Sequence, residues 1–380
     1  MAVQICSRCV YDSTILNIQF DNYGVCNYCH MHDRLIGEFP SGKEGEHILT
    51  VVAEKIKLQN KSKKYDCIVG ISGGADSSFL LYTTVRLGLK PLAVHFDNGW
   101  NSPVSVSNME RITKALNVEL AYWKVDSSKY DAIYASLLKA GVADLEIPTD
   151  IGLAGALSRF AARHNVRYVF EGHSFRTEGI SPIGWGYMDG KYIESVHKQF
   201  GNKDLETFPN MSILDQLKWM IIDNIKRFRP LWYIDHNKED TKQFLASEFG
   251  WEWYGGHHLE SKITAFYMNY FLPTRWGIDK RKNGYSALIR SSQMQRSHAL
   301  ELLQEPPSLS EHILAEVKNR LGLTDSEFDT LMTLPKKTYR DYTTYKETFE
   351  RLRPLFWLMC KLGYVPRSFY EKYCKKKDQQ

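Results

Sequence analysis

Two groups of residues stand out by type and spacing. Cys6, Cys9, Cys26 and Cys29 form C-x2-C, sixteen residues, C-x2-C. Two knuckles at that spacing can close around one tetrahedral metal, and Zn2+ is the expected ion. Four thiolates leave no open position for water or substrate, so the site is expected to be structural. The same ligands suit iron. "CNYCH" (26–30) also matches a c-type haem attachment pattern, which the second cysteine pair and the lack of an export signal argue against. The second group is "ISGGADSSFL", residues 71–80, between the apolar runs "YDCIVG" and "LYTTVRLGL". Glycines, hydroxyls and an acid between a predicted strand and a predicted helix make a phosphate cradle. Gly73 and Gly74 permit close backbone approach. Ser72, Ser77 and the helix N-terminus supply donors, and Asp76 is a candidate Mg2+ ligand. Neither G-x-x-x-x-G-K-[ST] nor G-x-G-x-x-G stands at this position.

The elements that must position these residues follow from periodicity. Strands are predicted at 66–71, 91–97, 119–126 and 167–172, and helices at 77–88, 103–117, 129–141 and 152–165. This alternation predicts an α/β fold with a doubly wound parallel sheet. Ligands then sit at the carboxyl ends of the strands, where Ser72–Ser77 falls. Residues 10–25 show strand-like alternation and a "DNYG" turn, which predicts a small ribbon ordered by metal. Residues 306–335 predict two helices, the first capped by Ser308 or Ser310 and the second by a Thr324-x-x-Glu327 capping box. Residues 342–366 predict further helix despite Pro354. The expected domains are a zinc-binding ribbon (1–45), a phosphate-loop α/β domain (46–175), a substrate-binding region with remaining catalytic residues (176–305) and a helical C-terminal appendage (306–380).

Composition bounds the function. The chain has 380 residues, 43% hydrophobic, enough for a large core. No 18-residue apolar run exists, so no membrane span is expected. "MAVQICSRCV" lacks a basic start and apolar core, so a cytoplasmic protein with reduced cysteines is expected. Cys67 reads as a small core residue. The net charge of +5 is low for a strong RNA binder, and no nucleic-acid partner is expected. Residues 335–380 hold twelve Lys/Arg against five Asp/Glu, which leaves residues 1–334 near −2. That basic end reads as a solvated face or a docking surface.

"VGISGGADSS" resembles the PP-loop of the ATP pyrophosphatase family, over residues 64–175. The resemblance implies ATP as co-substrate, bound by the 46–175 domain, with the loop gripping the departing pyrophosphate while a substrate oxygen attacks the α-phosphorus. "HFDNG" (95–99) is similar to that family's second strand end, which makes Asp97 a candidate ligand for Mg2+ or ribose. "EGHS" (171–174) would place Glu171 and His173 at the cleft. Asp97, Asp150 and Glu171 read equally as loop or cap residues.

Longer strings carry a narrower resemblance. "CSRCVYDST", "EGHSFRTEG", "GGHHLESKITAF", "LPTRWGIDKRK" and "LIRSSQMQR", spread over residues 5–300, resemble the N-acetyl sugar amidotransferases of bacterial surface-glycan pathways, of the WbpG and PseA types. That resemblance implies conversion of an acetamido group on a sugar or UDP-sugar to an acetamidino group, with AMP and PPi formed, in lipopolysaccharide O-antigen or related biosynthesis. It implies ammonia from a separate HisH-like glutaminase, channelled by a HisF-like partner. Lys262, Lys280 and Arg281 are candidates for phosphate groups and read equally as solvated surface. His257 or His258 is a candidate general base; adjacent residues on regular structure point differently, so at most one serves. Glu178 is a candidate for positioning the amide or a metal. Two rival functions stand beside this one. A tRNA thiolation enzyme with the same loop would need central cysteines, and there are none between Cys67 and Cys360. A non-catalytic zinc- and nucleotide-binding module is disfavoured by the intact Ser72, Asp76 and Ser77.

Overall fold

The computed structural model describes residues 3–182, 185–256, 259–365 and 367–375. The N-terminal module ends in α1 (Asn27–Glu38), whose N-cap is Cys26, so Cys29 lies in its first turn. Residues 10–25 do not form the regular strands expected of a ribbon. They make isolated antiparallel bridges, Ile5 with Asp12 and Phe20 with Cys26. The four cysteines supply the centre of this module's small core, with Tyr11, Ile15 and Tyr28 around them.

After α2 (Gly42–Gln59) the chain enters the sheet: β1 (Cys67–Gly70), α3 (Ala75–Arg86), β2 (Pro91–Asp97), α4 (Pro103–Ala115), β3 (Leu120–Lys124), α5 (Ser127–Ala140), α6 (Ile147–Arg163) and β4 (Tyr168–Phe170). Then come α7 (Gly190–Phe200), α8 (Ile213–Leu217) and β5 (Lys226–Phe228). All pairings are parallel, in the order β3-β2-β1-β4-β5. The doubly wound α/β expectation is what the structure contains. Alternation along the strands assigns the two faces. Cys67, Val69, Ala93 and Phe170 pack toward α2, α3 and α4. Ile68, Leu92, Val94 and Val169 pack toward Leu157, Phe160 and Ala161 of α6. Helix α6 begins five residues before the expected start, because Pro148 sits at its first turn, where no amide donor is needed. β5, "KRF", was not expected: it is three residues long and carries no apolar alternation.

Strand order reverses between β1 and β4, so the crevice beyond their carboxyl ends is the topological switch point. Helix α9 (Lys238–Phe249), capped by Asn237, packs against α3 beside that crevice. Next come α10 (Lys262–Phe266), which runs into a π-helical segment Tyr267–Trp276, then α11 (Arg281–Arg290) and α12 (Arg296–Leu302). Helices α13 (Glu311–Arg320) and α14 (Asp325–Thr333) match the two expected, with Ser310 as the first cap and the Thr324–Glu327 capping box in place. Helices α15 (Lys346–Arg351) and α16 (Arg353–Lys361) follow, with Pro354 in the first turn of α16. Val317, Phe328, Phe349 and Phe356 of these helices share one core with α5, α6 and α7. The buried ammonium of Lys346 donates to the carbonyls of Lys372, Tyr373 and Lys375 and so pins the last described turn. No helix among the described residues is long and apolar enough to cross a membrane.

Candidate active site

The loop at residues 72–77 is held together by its own hydrogen bonds. Ser72 Oγ and Ser77 Oγ lie 3.1 Å apart, Gly74 N donates to Ser72 Oγ at 3.3 Å, and Ser72 N donates to Ser77 Oγ at 3.2 Å. The first helical bond of α3 runs from Ser78 N to the Gly74 carbonyl, so the amides of Ala75–Ser77 head the helix at the crevice. Gly73 is needed for a reason other than phosphate approach. Its φ is +79°, and a Cβ there would lie 2.0 Å from the Ser105 carbonyl oxygen. Its own carbonyl accepts Trp251 Nε1–H at 2.9 Å, which ties the loop to the chain leading to Tyr254.

A cavity of 1430 Å³ opens from this loop. That exceeds the roughly 300–1,000 Å³ of a pocket for one drug-sized ligand. Ser72, Gly74, Asp76 and Ser77 form one wall, and Glu171, His173 and Glu178 the next. Lys238, Trp253, Tyr254 and Glu260 close it from α9 and the segment behind it. The far end is formed by Asp150, Asp189, Trp219, Phe349, Phe356, Lys372 and Tyr373. Among the described residues, no cysteine lines it.

Asp76 is the hub. His236 Nε2 lies 3.0 Å from Asp76 Oδ1, and Lys238 Nζ lies 3.8 Å from Oδ2. Burial pushes Asp76 up, but the Lys238 charge and the His236 contact outweigh it and hold the carboxyl well below the usual range. Glu178 moves the other way. Burial, then the neighbouring Asp76 charge and the hydrogen bond they share, push it well above the usual range. The two carboxyls are thus pushed apart, Asp76 toward its charged form and Glu178 toward its neutral one. Burial lowers Lys238, yet the charges of Asp76, Glu178 and Glu260 raise it overall. Burial, followed by the Glu260 charge, raises Tyr254. His173 Nε2 stands 3.8 Å from Glu178 Oε2, and burial followed by Arg229 lowers its pKa to about 4. Glu171 is clamped by Arg227 at 2.6 Å and Arg229 at 2.9 Å.

The other sequence candidates lie elsewhere. Asp97 ends β2 and accepts Gly99 N–H at 3.1 Å, a turn role outside the cavity wall. Lys262 is not in the wall; it pairs with Glu316 of α13 at 2.7 Å. Arg281 is likewise structural: it grips Asp279 at 2.7 Å and donates to the carbonyls of Leu302 and Glu305. Basic clustering in the sequence makes both phosphate candidates; in the fold each has an acidic partner, Glu316 for Lys262 and Asp279 for Arg281. Lys280 lies 4.9 Å over Trp185, and burial lowers its pKa to about 8. His257 and His258 lie outside the described residues.

Sequence reasoning missed His236, Lys238, Tyr254 and Glu260. One signal was available for Lys238. It occupies the first position of a helix capped by Asn237, where a cation opposes the helix dipole. Glu260 is held in place by its carbonyl, which accepts Ser102 N–H at 2.9 Å and Ser105 Oγ–H at 3.1 Å at the start of α4.

In the N-terminal module the four cysteine sulfurs converge within 4.8 Å. Cys6–Cys29, Cys9–Cys26 and Cys26–Cys29 are separated by 3.9, 3.7 and 3.7 Å. A tetrahedron with Zn–S bonds of about 2.3 Å places its sulfurs about 3.8 Å apart, so the donor set fits Zn2+. Arg290 Nε donates to Cys29 Sγ at 3.3 Å and its Nη2 to Cys9 Sγ at 3.2 Å. This buried guanidinium balances the negative charge of a four-thiolate site.

A family model described as "LPS biosynthesis protein WbpG-like, C-terminal domain" matches residues 260–355. The chain is 30% identical over 139 residues to the uncharacterized protein MJ1599 of Methanocaldococcus jannaschii, covering 36% of this chain and 47% of that protein. It thus spans about half the length of that curated relative. Among solved structures it is similar to NMN synthetase from Francisella tularensis (TM-score 0.36, 13% identity, 78% of this chain, 97% of that one). It is also similar to the NH3-dependent NAD synthetase from Campylobacter jejuni (TM-score 0.30, 14% identity, 78% and 99%). A third is the predicted subunit of tRNA methyltransferase from Methanocaldococcus jannaschii (TM-score 0.28, 13% identity, 47% and 75%).

Proposed function

We propose that this chain is an ATP-dependent ligase that splits ATP to AMP and PPi in order to replace the oxygen of an N-acetyl group by nitrogen. The substrate would be an N-acetylated sugar or sugar nucleotide of a bacterial surface-glycan pathway. The observation that carries the reading is the Ser72–Ser77 cradle at the switch point, with Asp76, Glu178 and Lys238 converging behind it. The WbpG-like match at residues 260–355 supports the choice of substrate class.

The chemistry explains why such a cradle is needed. An amide carbon is a weak electrophile and its oxygen a poor leaving group. Attack of that oxygen on the α-phosphorus forms the O–P bond and releases PPi. The resulting imidate–AMP is open to ammonia, which forms the new C–N bond, loses a proton and expels AMP. The loop amides and Ser72 would hold the departing phosphates, with Lys238 as their counter-charge. Asp76 would hold Mg2+, which supplies charge neutralisation to the phosphates when bound. Trp253 and Tyr254, which line the cavity, would orient the second substrate. The four-cysteine site would hold Zn2+ as a structural ion. Ammonia would come from a separate glutaminase through a channelling partner, docked on the basic C-terminal region or on the four-cysteine module.

The test incubates the protein with Mg-ATP, ammonium and a panel of N-acetylated sugars and sugar nucleotides. The expected result is AMP, PPi and a product in which NH replaces carbonyl oxygen by mass spectrometry. ADP formation instead of AMP, or no product from any N-acetyl sugar, would overturn the reading. Full glutamine-dependent turnover by the chain alone would overturn the partner assignment.

A further inference from the structure

The four-cysteine module and the phosphate cleft are joined by an unbroken series of contacts. Tyr11, two residues after Cys9, is completely buried. Its ring lies 4.8 Å beneath the Arg290 guanidinium, the same group that donates to Cys29 and Cys9. The Tyr11 hydroxyl reaches the Ile180 carbonyl at 2.9 Å and Asn283 Oδ1 at 2.5 Å, and its single proton serves one of them at a time. Asn283 Nδ2 in turn donates to the Glu178 carbonyl at 2.8 Å. Gly179, at φ +90°, is pressed so close that a Cβ there would lie 2.7 Å from Asn283. Ser291 Oγ, just after α11, donates to the Arg176 carbonyl at 2.9 Å. Within the segment 174–181 two backbone bonds both return to the Ser174 carbonyl, from Thr177 N at 3.3 Å and Glu178 N at 2.9 Å. Its place is therefore set from outside, and it delivers Glu178 to Asp76.

We propose that the four-cysteine module is a positioning device for the active site, with Tyr11 and Asn283 as the positioning residues that hold the Glu178 segment against Asp76. The proposal rests on the active-site reading above for its effect on turnover, but not for its effect on the segment. Neither residue lines the cavity, and both act through backbone carbonyls rather than on substrate. The physical reason is that a loop beyond a strand end is mobile unless tied. A misplacement of about 1 Å at a reacting group can cost about 10²-fold in rate.

The experiment uses the full chain with its metal and measures amide hydrogen exchange of residues 174–181 in wild type, Asn283→Ala and Tyr11→Phe. The expected result is about tenfold faster exchange there in Asn283→Ala, with zinc content unchanged. Wild type stripped by a chelator should show the same acceleration. Turnover to AMP should fall about 10–100-fold while KM for ATP moves less than about threefold. Tyr11→Phe removes one oxygen and keeps the ring, so it serves where Asn283→Ala does not fold. Wild-type exchange in this segment for both variants, or for the stripped protein, overturns the proposal. Wild type that makes no AMP would sink the active-site reading, and the exchange data would still decide the positioning role.

Discussion

Lys238 offers the sharpest test of how the cleft is balanced. Its ammonium stands 3.8 Å from Asp76 Oδ2. At an effective dielectric of about 20, that separation gives an attraction of about 4 kcal/mol, part of which desolvation takes back. Lys238→Met keeps the length and apolar stem but leaves Asp76, Glu178 and Glu260 without their nearest ammonium. Leaving a buried charge uncompensated costs about 3–5 kcal/mol. The sign with pH is specific. In wild type the folded pKa of Asp76 lies below its unfolded value. The stability it contributes is therefore present above the unfolded value and is lost as pH falls through the folded one. Without Lys238 the folded pKa should rise toward the unfolded value, and the stability held by the Asp76 carboxylate should shrink. The gap between wild type and variant should be fully open at about pH 7, reaching about 3 kcal/mol, and should narrow as acid protonates Asp76 toward about pH 2. Urea unfolding at both pH values measures it, and AMP formation should fall by about 10² or more. Lys238→Arg, which keeps the charge, should recover most of the stability. A pH-independent gap, or a variant as stable and active as wild type at neutral pH, would refute the argument.

Four further outcomes are expected. Asp76→Asn should abolish AMP formation while metal analysis still finds zinc at the wild-type level, because the two sites share no ligand. Lys262→Met should cost no more than about 1 kcal/mol and leave AMP formation within about twofold, since its partner is a partly exposed Glu316 outside the cavity. Burial lowers the pKa of His32 from 6.5 to about 4. The stability tied to its neutral form is complete above about pH 6.5 and lost as pH falls toward about 4, so His32→Gln should flatten the acid limb of the unfolding profile. Metal removal should lower the melting temperature and loosen the Tyr11–Trp185 contact, read as a change in tryptophan emission.

Much of the architecture was legible from the chain. β1 to β4 alternate with helices at clear periodicity, and the glycine pair with its flanking serines marks the phosphate loop. Ser310 and the Thr324–Glu327 box announced α13 and α14 through local capping chemistry, whereas Pro354 argued against a helix until the fold placed it in the first turn of α16. What stayed hidden depends on distant pairing. His236 and Lys238 meet Asp76 across about 160 residues, and no local pattern encodes that approach. β5 gains its strand character from the edge of β4 rather than from its own side chains. Lys262 and Arg281 show the converse: nothing local distinguishes a basic residue awaiting a ligand from one paired with an acid within the fold.

The Arg290 guanidinium that caps the thiolates lies 261 residues downstream of Cys29. At about 5–20 residues per second, a ribosome makes it roughly 15–50 s after the last of the four cysteines. During that interval the knuckles are already synthesised but lack their buried counter-charge and the helix that covers them. The nascent chain can therefore take up its metal from solution while the site is still open. Docking of α11 would then close over whatever ion the thiolates had taken up, so metal supply during translation should bear on how much protein matures.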